Sequence, residues 1–375
     1  MSVLRSRPVL RWLVPAAAAV TVIGGGAAIG TFAAQAEPSL PPRSAAQLLV
    51  DIQTARLEGL SGTVVQRADL GLPPLAGLAA GGNDLLALAT GTHTLRVWHS
   101  GPDRQRVALV DTLGERNIVR DGRDLWTYDS RTKSATHRTL SDSGEEQVPP
   151  SLPATPKEAA DAALAAIDPS TEVSVGRSAT VAGRDAYELV LKPRDEASLI
   201  DQIRVAVDAE EYVPLRFEVF ADAADRPAFE VAFTQIDYRR PDADQFRFNP
   251  PPGTTVTEQS TGDKPDRDGS GPGRPSADEP GHPGAGDVTS VGEGWTTVVV
   301  AELDTDEVPK PEAGDAGPGG VVDAPALIGG LPEVSGDWGK GRLFSTKLVN
   351  VLLTDDGRLL AGAVTPERLY QVAKG

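Results

Sequence analysis

Four stretches between residues 185 and 238 alternate apolar and polar side chains with a period of two, and this pattern constrains the fold more than any other feature of the chain. Tyr187, Leu189 and Leu191 share one face, as do Ile203, Val205 and Val207. Leu215, Phe217 and Val219 repeat the pattern, and Phe229, Val231 and Phe233 close it. The opposite faces carry Glu188, Lys192, Arg204, Asp208, Arg216, Glu218 and Glu230. Successive strand residues point to opposite sides of a sheet, so such stretches predict antiparallel strands with one greasy and one wet face. An earlier group reads the same way, with strands predicted over Thr94–His99, Arg106–Thr112, Arg116–Arg120, Asp124–Asp129 and Lys133–Thr139. Asp121-Gly122 between the third and fourth accepts the positive φ angles of a tight hairpin turn. The two groups predict one large curved antiparallel sheet with an apolar inner face.

Flanking segments supply helices. Ser44 can cap an amphipathic helix carrying Leu48, Leu49, Ile52 and Ala55, which Gly59 stops before a first strand near Ser61–Arg67. Thr155-Pro156-Lys157-Glu158 is a strong helix start, with Thr as N-cap, Pro at the first helical position and Glu completing a capping box. That helix is expected to run to about Ile167, where Asp168-Pro169 ends it. The fold class is therefore α+β: a half-open antiparallel β-barrel closed by helices, with a small C-terminal α/β unit. From Leu70 to Thr90 the chain is too broken for a long helix and too apolar for a solvent loop. It is either a loop folded onto its own core or an apolar lip at a cavity mouth, with Leu72, Leu75 and Leu78 as mouth candidates.

The boundaries follow from composition. Arg5, Arg7 and Arg11 precede an apolar run from Trp12 to about Phe32, which ends in Ala34-Gln35-Ala36. Residues 1–36 thus read as a signal peptide, or as a membrane anchor over residues 9–34. Either reading places the remainder outside the cytoplasm, in a periplasm-like space or secreted. The first unit spans 40–257. Residues 258–286 are Gly, Pro, Asp and Ser with almost nothing apolar, so a disordered acidic linker is expected. The C-terminal unit, 287–375, carries a strand over Trp295–Leu303, a hairpin around Asp355-Asp356-Gly357, and a last helix from Thr365-Pro366-Glu367.

A net charge of −17 over 375 residues, without a Lys/Arg stripe, argues against nucleic acid as a partner. With no cysteine in the chain, disulfides, thiolate catalysis and Cys-type zinc sites are excluded. No serine elbow, His-Glu-x-x-His or phosphate loop is present, so an enzyme is not expected and no cofactor is indicated. His93 and His99 share a strand face but stand roughly 20 Å apart, too far to hold one ion. Glu145-Glu146, Glu210-Glu211 and Asp355-Asp356 read as solvated turns. No metal site is expected.

Two separated motifs carry a family resemblance. Asp121-Gly122-x-x-Leu125-Trp126-x-Tyr128 resembles a strand of LolA-type periplasmic lipoprotein carriers. Phe246-x-Phe248-x-Pro250-Pro251-x-Gly253 resembles the end of their barrel. The likeness covers about residues 40–257 and extends to RseB/MucB-type regulators and to mycobacterial lipid-binding lipoproteins. Gly362-x-Val364-Thr365-Pro366 resembles the close of the RseB/MucB second domain. The resemblance implies an eleven-stranded half-open barrel that holds acyl chains. In the carriers an Arg-Pro pair after the second barrel strand helps latch a lid; here the place reads Gly101-Pro102-Asp103-Arg104, so the latch is missing or displaced. Arg104 and Arg106 are the nearby candidates for that place.

On this reading the lipid-binding cavity candidates are Leu95, Val97, Leu109, Leu189, Val205, Phe217, Val219, Val231 and Phe233. Each buried methylene contributes roughly 0.8 kcal/mol, so even one partly inserted chain gains useful affinity. Two functions follow: an exported carrier of lipid or lipoprotein acyl chains, or an RseB/MucB-like regulator bound to a membrane anti-sigma or receptor protein. An exported interaction domain without a ligand is the remaining alternative.

Overall fold

The structure, a computed structural model, describes residues 38–72, 90–111, 114–140, 155–165, 167–259, 288–302 and 329–375. The signal or anchor segment, Leu75, Leu78 and residues 260–286 of the expected linker lie outside the described residues. No helix among the described residues is long and apolar enough to cross a membrane.

The first unit is mostly β with few helices. Its strands are β1 (Gly59–Asp69), β2 (Thr90–Ser100), β3 (Arg104–Asp111), β4 (Gly114–Asp121), β5 (Asp124–Asp129), β6 (Ser134–Thr139), β7 (Thr171–Val175), β8 (Ala179–Val181), β9 (Arg184–Pro193), β10 (Ile200–Asp208), β11 (Pro214–Ala221), β12 (Phe229–Asp237) and β13 (Thr255–Gln259). They form one open sheet in the order β13-β6-β5-β4-β3-β2-β1-β12-β11-β10-β9-β7, with β8 paired to β9. The sheet has thirteen strands, two more than the family resemblance implies. Short β7, β8 and β13 account for the difference from the sequence reading, since three to five residues carry too little alternation to read. Every pairing is antiparallel except β13 on β6, which is parallel. Gly122 takes φ +63° in the β4–β5 turn, but the turn residues are Gly122-Arg123, because Asp121 pairs with Asp124 in the ladder, one position later than expected.

Helix α1 (Ala45–Thr54) starts with a complete capping box: the Gln47 N–H donates to Ser44 Oγ at 3.2 Å, and the Ser44 N–H donates to Gln47 Oε1 at 3.0 Å. Helix α2 (Pro156–Ala165) starts where Thr155 Oγ1 accepts the Glu158 N–H at 3.2 Å. Leu48 and Ile52 of α1 and Ala159 and Ala160 of α2 join the inward residues of β1, β2 and β9–β12 in one core. Burying Leu48 and Ile52 contributes roughly 1.5–3 kcal/mol each, so the seating of α1 is strongly favoured, and the small Ala159 and Ala160 of α2 contribute less.

The second sheet has six strands in the order β14-β15-β19-β18-β17-β16. These are β14 (Val288–Val291), β15 (Val298–Glu302), β16 (Glu333–Gly336), β17 (Gly339–Ser345), β18 (Asn350–Thr354) and β19 (Arg358–Gly362). Val298, Leu352 and Leu360 bury against Val364, Leu369 and Ala373 in and before helix α3 (Pro366–Ala373). The expected hairpin lies at β18–β19, with Gly357 at φ +86°, while its first arm is divided between β17 and β18. The expected strand over Trp295–Leu303 begins instead as a 3₁₀ turn, Gly294–Thr296, because the Trp295 side chain is drawn into the first unit.

The outer face of β9–β12 is drier than alternation predicts. Glu188 and Glu218 are each only 9% exposed and Asp208 is 0% exposed. Long guanidinium side chains lie across this face. Arg216 reaches Glu188 at 3.4 Å and Glu218 at 3.1 Å, and Arg204 stacks over the Phe220 ring at 4.5 Å. Burial pushes the Glu218 carboxyl above its ordinary range, and Glu230, its direct cross-strand neighbour, adds repulsion. Asp208 accepts Arg184 Nε at 2.7 Å, Tyr238 Oη at 2.8 Å, and the N–H groups of Glu210 and Glu211. Burial opposes its charge, but these donors outweigh burial and hold its pKa below the usual value.

A lowered native pKa contributes stability that is present above the unfolded value of about 4 and lost as pH falls through the native value. Asp208→Ala should therefore destabilise the first unit by roughly 2–4 kcal/mol in urea titration at pH 7, because Arg184 and Tyr238 lose their shared partner. The difference from the unmodified protein should shrink below about pH 4.

Candidate functional site

The two faces of the large sheet are covered by different parts of the chain, and the candidate site lies where one cover ends. On the inner face, register aligns Leu189, Val205, Phe217 and Val231 in one row across β9, β10, β11 and β12. Phe233, Val64, Leu95 and Leu109 make a second row across β12, β1, β2 and β3. Eight of the nine cavity candidates, Leu95, Val97, Leu189, Val205, Phe217, Val219, Val231 and Phe233, are at most 8% exposed, and Leu109 packs against them half-buried. The same core holds α1 and α2, so most of the inward face is filled by the protein's own side chains.

A cavity of about 310 Å³ remains between the C-terminal end of α1, the N-terminal turn of α2 and strands β1–β3. Of the nine candidates, Val97 and Phe233 line it; the other seven do not. Its apolar wall is completed by Ile52, Leu57, Leu60, Val107 and Val213. Val107 falls within the strand predicted over Arg106–Thr112, whereas Leu57 lies just past α1, and nothing in their spacing marks either as flanking a gap rather than filling one. Leu72 is half-buried beyond the end of β1 opposite Leu60, next to Leu70, whose carbonyl accepts the Lys347 N–H at 2.7 Å. Leu72 follows this contact with the β17–β18 turn and does not line the cavity.

The rim is charged. Arg56 Nη1 donates to the carbonyls of Gln53 and Ala55, and Lys157 Nζ bonds Asp161 at 2.6 Å. Arg106 lies over the Trp98 ring at 5.1 Å and donates to the Gln245 carbonyl at 3.2 Å. His99 also lines the cavity; burial lowers its pKa, so the imidazole is neutral at pH 7. Beyond the helices the inner face continues along Val97, Val107, Ile118 and Thr127, where Ile118 is 50% exposed. The cavity thus opens from the packed half of the sheet toward a half that the described helices leave uncovered. Its volume sits at the lower end of the range typical of small-molecule sites.

On the outer face of β2–β6 the chain after β12 returns as a strap. A 3₁₀ turn, Ala243–Phe246, contacts β3 and β4 and buries Phe246 to 1%. Phe248 packs against Trp126 and Tyr128, with ring centroids 5.4 Å apart in both pairs. The two motifs that carry the resemblance therefore touch each other: the aromatic pair of β5 is the floor on which the Phe-x-Phe strap lies. Arg104 pairs with Asp121 at 2.9 Å on the surface, whereas Arg106 ties the strap to β3 through Gln245. Among the described residues, no group of three or more His, Asp or Glu side chains could hold a metal ion. His93 and His99 both lie on β2.

Residues 87–252 match the family model of the MucB/RseB N-terminal domain, a span that is under half of the chain and includes both motifs. No curated protein matched the chain. Among solved structures, the MucA/MucB complex of Pseudomonas aeruginosa is 18% identical, with a TM-score of 0.42 over 88% of this chain and 96% of that one. An uncharacterized conserved protein from Thermus thermophilus is 12% identical, with a TM-score of 0.33 over 57% of this chain and 99% of that one. A LolA superfamily protein from Nitrosomonas europaea is 13% identical, with a TM-score of 0.24 over 55% of this chain and 99% of that one. The family match makes residues 87–252 similar to a MucB/RseB N-terminal domain and supports a likeness to the LolA-like/RseB-like superfamily.

Proposed function

We propose that this chain is an extracytoplasmic regulator of the MucB/RseB kind, which binds the outer segment of a membrane anti-sigma protein. The observation that carries this reading is the family match over residues 87–252. One of the solved structures named above is itself a MucA/MucB complex. The joining of the two sheets supports the same reading. The Leu199 N–H donates to the Ala363 carbonyl at 2.9 Å, and the Thr365 N–H donates to the Ala197 carbonyl at 2.9 Å. Trp295 Nε1 donates to Thr171 Oγ1 at 2.7 Å, and the Trp295 ring packs against the first core. A defined junction presents two surfaces to one partner without an ordering cost at binding.

Titration calorimetry of the chain from residue 37 onward against the outer segment of an anti-sigma protein encoded beside its gene should give saturable 1:1 binding. A dissociation constant of about 1 μM or tighter corresponds to roughly 8 kcal/mol. Absence of heat and of co-elution at tens of micromolar would remove the regulator reading.

A second reading, acyl-chain binding in the first unit, is favoured by the apolar cavity between α1, α2 and β1–β3. Substitution of Phe217 or Val231 tests folding rather than this site, because both are core residues. Val107→Trp is the better probe: Val107 lines the cavity and is half-buried, so a larger side chain occupies the space while β3 keeps its pairing. Affinity for a fluorescent fatty acid should fall about tenfold or more, with the unfolding midpoint little changed. Unchanged affinity in a folded Val107→Trp protein would place the ligand elsewhere.

A further inference from the structure

Strand β13 is an exposed edge of the large sheet. All five of its residues are exposed, Val256 at 42%, and it pairs only with the edge of β6. One side-chain arrangement fastens it. His137 of β6 stands between two carboxylates from different strands: its Nδ1 lies 2.7 Å from Glu258 Oε2 of β13, and its Nε2 lies 3.0 Å from Asp124 Oδ1 of β5. The imidazole also stacks on Trp126, with ring centroids 4.3 Å apart and planes 16° from parallel.

A neutral imidazole has one N–H donor and one bare acceptor nitrogen. Facing two carboxylates, it satisfies one and turns a lone pair toward the other. Only the imidazolium donates to both. The stacked indole also favours the charged ring. The groups facing His137 are Asp124 from β5 and Glu258 from β13; on the strap that covers Trp126, Asp244 and Arg247 pair with each other at 2.7 Å.

We propose that His137 is a proton-dependent clamp that holds β13 on β6, and that loss of its proton loosens this strand. The segment held on the β6 edge is the chain's own Thr255–Gln259.

Burial against its neighbours opposes the charge on His137, but hydrogen bonds and charge from Asp124 and Glu258 outweigh it and raise the pKa above its ordinary value. A raised native pKa contributes stability that is fully present below the unfolded value, near 6.5, and is lost as pH rises through the native value. The clamp therefore holds more tightly in mild acid than in mild alkali. Asp124 and Glu258 are 59% and 69% exposed, so solvent screens the pairs and the effect is a few-fold.

The test is native-state hydrogen exchange of residues 255–259 from pH 5.5 to 8.5, corrected for intrinsic exchange rates, in the chain from residue 37 onward. Protection should fall roughly two- to fivefold across this range in the unmodified protein, while β5 stays constant. His137→Gln should abolish the slope. A flat profile in the unmodified protein, or the same slope in His137→Gln, would overturn the proposal. Glu258→Gln keeps an acceptor and removes a charge, so the NMR titration midpoint of His137 should move down; an unmoved midpoint would also overturn it.

Discussion

The first unit depends on one constraint: a single sheet of thirteen strands has two faces, and each must be covered by something other than a second sheet. On the inner face the row Leu189, Val205, Phe217 and Val231 supplies the apolar floor on which α1 and α2 sit. On the outer face the cover changes along the sheet. Over β9–β12, guanidinium groups and Tyr238 lie across short side chains such as Ala206 and Ala232. Over β2–β6, the strap carrying Phe246 and Phe248 takes that place. The sheet is open, and different segments cover its two faces.

That arrangement explains why the cavity lies where it does. The helices cover β9–β12 and reach only the first of the remaining strands, so the inner face changes from packed to open near β2 and β3. A gap at this border is apolar because Val97 and Val107 belong to the same alternating rows as the core, and it is rimmed by charge because helix ends are solvated. The same border puts Arg106 beside the cavity while its guanidinium holds the strap, so cover and cavity share one side chain.

The ends of the sheet behave differently from its middle. At the β7 side, the second unit closes on the first through Trp295 and Thr171 and through backbone pairing of Ser198 with Val364. At the β13 side, a five-residue strand is held by its ladder and one charged cluster. An edge strand with so little burial has a low local free energy of opening, which suits it to regulation rather than to structure.

Much of this was legible in the chain itself. Period-two alternation located β9–β12 and the face that became the core, because burial on one side of a pleated strand leaves no other pattern. Ser44 and Thr155 announced the two helices through capping chemistry that is local in sequence. Tertiary structure alone decided the rest. That seven of nine inward candidates are packed while Val97 and Phe233 border a gap depends on how far α1 and α2 reach, which no single strand encodes. That Trp126 and Tyr128 support Phe248, and that Glu258 leaves an acidic stretch to join His137, are meetings of residues more than a hundred positions apart. Alternation assigns a side chain to a face; what covers that face is settled only when distant parts of the chain compete to bury it.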